Sequence, residues 1–126
     1  MSELDPKVKY MRINKVHIDF SRMVQNKFQL EIECKTNIQA PKDPQDKTAL
    51  LVIDLLVYTP NSDYLKIELN GDIIFEFHEI PKDYEAAAKG ECSVIAQEKL
   101  FDFLDETLER MGYAKLHLKA QKKSQI

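Results

Sequence analysis

Leu65-Lys66-Ile67-Glu68-Leu69-Asn70-Gly71-Asp72-Ile73-Ile74-Phe75-Glu76-Phe77 can be read in two ways, and the choice decides the fold. Asn70-Gly71 invites a two-residue hairpin. Such a turn would set Leu69 opposite Asp72, Ile67 opposite Ile74 and Leu65 opposite Glu76, so the apolar face would share its surface with two carboxylates. One continuous strand instead points Leu65, Ile67, Leu69, Gly71, Ile73, Phe75 and Phe77 to the same side, because side chains alternate with period two. The long strand is the consistent reading. Gly71 then marks a bend or a close approach of another backbone.

Upstream segments supply its partners. Ala49 to Tyr58 carries apolar residues on both parities, as a central strand covered on both faces does. Phe28, Leu30, Ile32 and Cys34 alternate with Gln29, Glu31, Glu33 and Lys35 without exception, giving one dry face and one acidic, wet face. Val16, Ile18 and Phe20 alternate likewise, but Ile13 has the opposite parity, so a bulge is expected near Asn14-Lys15. Pro41 and Pro44 place a loop over Asn37 to Thr48, and Thr59 to Asp63 reads as a turn.

Helices follow the strands. Pro81 opens a short helix through Tyr84 to Ala88 that stops at Gly90, and Ser93 caps a long one that Gly112 ends. Ala96, Leu100, Phe103, Leu104, Thr107, Leu108 and Met111 form its apolar stripe, with charged residues opposite. Leu116 and Leu118 suggest a short extended stretch. The expected domain is residues 1–118, with a polar basic tail at 119–126. Strands followed by helices give an α+β fold: a four-stranded antiparallel sheet, a short helix and one long helix packed on the sheet.

Composition narrows function. The 126 residues suit one domain, and 44% hydrophobic with 31% charged content argues against disorder. A formal net charge of −3 gives no field for a polyanion, so nucleic acid is not an expected partner. No apolar run reaches membrane-span length and the amino terminus does not read as a signal peptide, so the expectation is a cytoplasmic protein without membrane insertion. Cys34 and Cys92 are no disulfide framework, and His17, His78 and His117 are scattered without metal-ligand spacing. Three separated glycines build no phosphate loop. No cofactor and no catalytic group is expected, so the chain reads as a binder rather than an enzyme.

The residues without an obvious place in a core are Ile74 on the polar side of the long strand, Tyr84 on the short helix, and Val94 and Phe101 at the edge of the helix stripe. With Phe75 and Phe77 they are the candidate polypeptide-binding or subunit-interface residues. Phe101 in particular is expected to be more exposed than Leu100, Leu104 and Leu108.

The order of elements, the run from Leu65 through Gly71 to Phe77, Cys92 ahead of the long helix, and Leu116-x-Leu118 after Gly112 resemble the SecB family of export chaperones. The resemblance is strongest from Lys47 to Leu118. Ser93 to Lys99 stands where the family has a Pro-Asn-x-x-Phe-Pro-Tyr run. The resemblance implies a homo-oligomer (a dimer or a dimer-of-dimers tetramer) that holds unfolded or partly folded polypeptides in apolar grooves without ATP. It also implies an acidic sheet face, here Glu31, Glu33, Glu68 and Glu76, that could dock a SecA-like motor. A toxin–antitoxin chaperone, or a dedicated binder of one protein or small apolar ligand, is the alternative.

Overall fold

The computed structural model describes residues 4–21, 29–114 and 116–119. The strands are β1 (Lys7–Phe20), β2 (Glu31–Gln39), β3 (Thr48–Tyr58) and β4 (Leu65–Glu76). They form one antiparallel sheet in the order β1-β4-β3-β2. The long strand is real: β4 pairs without a break against all of β3, from Tyr58 opposite Lys66 to Thr48 opposite Glu76. Phe28 lies outside the described residues.

Gly71 is a point of close approach. A Cβ there would lie 3.3 Å from the Arg12 carbonyl oxygen and 3.6 Å from Leu100 Cδ2 on the long helix. The missing side chain lets the helix settle on the sheet.

β1 carries the expected irregularity between Ile13 and Lys15, and a second one between Val8 and Tyr10. Each extra residue switches the parity of the strand. As a result Val8, Met11, Ile13, Val16, Ile18 and Phe20 lie opposite Phe75, Ile73, Gly71, Leu69, Ile67 and Leu65, all on the helix side. Ion pairs tie the segments between the bulges to β4: Lys9 to Glu76 at 3.7 Å, Arg12 to Asp72 at 2.8 Å and Lys15 to Glu68 at 4.0 Å.

β2 runs farther than the prolines suggested. It continues to Gln39, and Ile38 is buried opposite Leu51, so the loop begins after Gln39 rather than at Asn37. The β3–β4 connection closes on buried Thr59, whose hydroxyl donates to Ser62 O at 2.9 Å and accepts from Leu65 N at 3.2 Å.

The helical region differs from the expected stop and restart. Asp83 caps α1 (Tyr84–Ala87) by accepting from Ala86 N at 3.2 Å. A single wide π turn, Ala88–Cys92, bends at Gly90 and leads directly into α2 (Ser93–Arg110). Ser93 is therefore no N-cap, and its hydroxyl accepts from Gln97 Nε2 at 3.0 Å. Gly112, at φ +98, ends α2 in a Schellman motif, with Tyr113 N donating to Leu108 O at 2.9 Å and Gly112 N to Glu109 O at 3.1 Å. Gly112→Ala should lower stability by about 1 kcal/mol, since an L side chain strains at that φ. Denaturant unfolding with an unchanged m-value would measure it.

α2 buries Ala96, Leu100, Phe101, Leu104 and Leu108, while Met111 is half exposed. The core lies between this helix and the inner sheet face of Leu51, Ile53, Val57, Ile67, Ile73 and Phe75. After Gly112 the chain folds back. Leu116 N and Leu118 N donate to the Asp105 carboxylate at 2.9 and 3.3 Å, and both leucines are buried. The turn between them is made by His117 at φ +55, and helical backbone resumes at Leu118, in place of the expected extended stretch. Lys119, the expected first residue of the tail, pairs with Asp102 at 3.1 Å.

Candidate polypeptide-binding surfaces

The structure does not bring the candidate binding residues together. Phe75 and Phe77 are core, 0% and 3% exposed, because they continue the inner face of β4. Phe101 is 2% exposed, so its expected exposure is corrected. It lies one residue beyond Leu100, and the buried stripe of α2 is wide enough to include it. Val94, in the first turn of α2, is 58% exposed. Tyr84 is half-buried on α1, and Ile74 is half-buried on the opposite side of the sheet, between Tyr10 and Leu50 in the register.

That outer face is mixed rather than acidic. Glu76 pairs with Lys9, and Glu68 pairs with Lys66 at 3.1 Å and lies near Lys15. A hydrogen bond from Lys66 and its charge hold the Glu68 carboxyl below the usual carboxylate range. Hydrogen bonds from Arg12 and Asn14 do the same for Asp72. Across the middle of the face Asn14 donates to Asn70 at 3.0 Å, and Asn70 donates to Asp54 at 2.8 Å. This ladder separates an apolar group of Tyr10, Ile74, Leu50 and Val52 from a second one of Leu56 and Tyr58. Glu31 and Glu33 stand apart on β2. Among the described residues no cation pairs with either of them, and partial burial together with these two carboxylates raises the Tyr58 phenol above its ordinary value.

Three features were absent from the sequence reading. The first is a cleft of about 490 Å³ beside the π turn, with Leu4, Pro6, Ile80, Ala86, Ala87 and Cys92 among its walls. Burial pushes the Cys92 thiol up to about 11, so at neutral pH it is an inert wall rather than a nucleophile. The second is an aromatic group in which Phe20 stacks on Tyr113 at 4.1 Å and meets Tyr64 edge-on at 5.8 Å. The bulges of β1 put Phe20 there, and Tyr113 is 41% exposed. The third is the Asp105 clamp on the returning chain. Among the described residues no cluster of His, Cys, Asp or Glu suits a metal ion, and no helix is long and apolar enough to cross a membrane.

These features define an α+β domain of SecB-like fold. The similar solved structure is the Mycobacterium tuberculosis Rv1957 SecB-like chaperone in complex with a ChAD peptide from the Rv1956 HigA1 antitoxin. The two chains superpose with a TM-score of 0.66 at 13% sequence identity, over 88% of this chain and 83% of that one. No protein-family model matches the sequence, and no curated protein does.

Proposed function

We propose that this chain is a SecB-like chaperone that holds unfolded or partly folded polypeptides, acting by binding rather than catalysis and without ATP. The observation that carries the reading is apolar surface left uncovered beside a SecB-like core. Ile80 is 38% exposed at the mouth of an apolar cleft, and Val94, Met111 and Tyr113 are 58%, 51% and 41% exposed. Apolar surface of this kind is a site for other chains to cover. Capture then draws on burial at about 25 cal/mol per Å² of apolar surface, less the cost of ordering the client.

The half-covered inner residues of β1 and the exposed aromatics beside them suit a subunit contact, so the working form is a homo-oligomer in the cytoplasm, a dimer or a tetramer. The antitoxin peptide bound by the similar structure favours a second reading, a chaperone dedicated to a toxin–antitoxin pair. Export with a SecA-like motor has weaker support, because the outer face is not acidic overall.

The test is light scattering from several unrelated proteins as they aggregate. The protein should suppress all of them in the absence of nucleotide. Suppression of one alone supports the dedicated reading, and suppression of none rejects both. Ile80→Asp should leave stability within about 0.5 kcal/mol, since the side chain is partly exposed. It should reduce suppression several-fold, and full activity in this variant would remove the cleft from the account.

A further inference from the structure

We infer that β2 is the edge that takes up a client strand, and that it selects extended segments with apolar residues at alternate positions and a Lys or Arg beside Glu31 and Glu33. This rests on the polypeptide-binding reading and names the site and the segment.

The two edges of the sheet are built differently. β1 has two bulges and carries Lys7, Lys9, Arg12 and Lys15, and both devices discourage strand addition. β2 pairs with β3 over nine residues, from Glu31 opposite Tyr58 to Gln39 opposite Leu50, with no shift of register. Among the described residues no strand pairs with its other side. At about 3.4 Å per residue this is roughly 30 Å of regular edge. Main-chain pairing along it would be indifferent to client sequence, and the side chains would add selectivity.

Those side chains define the segment. On the inner face Ile32 and Ile38 are buried, while Cys34 and Thr36 between them are only half-buried. These two smaller residues form a shelf that an apolar side chain of an added strand would cover. On the outer face Glu31 and Glu33 meet no cation among the described residues, and the one polar contact given to them is the Tyr58 hydroxyl, 3.5 Å from Glu33. A cation on the neighbouring strand would complete this row, since opposite charges on adjacent strands attract.

The probe is a short synthetic peptide of alternating Val with Lys and Thr. It is compared with two copies N-methylated at every second residue, one in each phase. Binding to the full chain is read by fluorescence anisotropy, and the position by amide hydrogen exchange. The expected result is slowed exchange within 31–39 and loss of at least about tenfold in affinity for one N-methylated phase only, because several hydrogen bonds of about 1 kcal/mol are removed. Glu31→Lys with Glu33→Lys should weaken the Lys peptide and strengthen a Glu counterpart, each by about tenfold. Protection confined to Lys7–Phe20, equal loss in both phases, or no peptide binding by a protein that does suppress aggregation would overturn the inference and leave the chaperone reading intact. Peptide binding at β2 without aggregation suppression would do the reverse.

Discussion

Leu104→Asp should abolish folding. Leu104 is 0% exposed in the middle of the α2 stripe, with Leu100 and Leu108 one turn away on either side. A carboxylate there would be buried without a partner and would also forfeit the apolar contacts of the leucine. Together these cost about 5 kcal/mol, comparable to the whole stability of many small domains. Circular dichroism should show no cooperative thermal transition, and a melting midpoint near that of the parent would mean that α2 does not pack on the sheet.

Phe101→Ser should be nearly as severe, at about 4 kcal/mol, because a large ring is replaced by a small polar group at a site only 2% exposed. The sequence suggested the opposite, a mild change at the edge of the helix. The two are separated by urea unfolding: a drop in midpoint with an unchanged m-value reports lost packing. If Phe101→Ser keeps the parent midpoint, the side chain turns outward in solution and returns to the list of interface residues.

Phe101 shows where reading a sequence reaches its limit. Periodicity locates the centre of a helix stripe well, but its width depends on how the helix lies across a twisted sheet, and residues at the margin fall on either side. Met111 lies near the stripe centre by spacing and is half exposed, because it caps the end of the helix beyond the sheet contact. Parity was more reliable. It identified β4 as one strand, made β3 central and located the bulge at Asn14-Lys15, since misplacing any of these would have buried carboxylates.

The second bulge, beside Lys9, left a weaker trace, because Val8, Tyr10 and Met11 are all apolar enough to fit either face. Gly90 correctly marked a break in helical geometry, yet the chain passes through it as a π turn rather than stopping. The clefts and patches were least legible of all. Ile80 and Cys92 share a wall, and Phe20 meets Tyr113, only because elements distant in sequence pack together.

The central claim is that this domain binds unfolded polypeptide. The most direct measurement is titration calorimetry at several temperatures with a reduced, alkylated protein that cannot refold, and with the same protein in its native state. The account predicts binding of the unfolded form with a Kd of about 1 μM, or −8 kcal/mol, and a negative heat-capacity change from apolar burial. It predicts no binding of the native form. Absence of binding heat at every temperature, or equal binding of both forms, would contradict it.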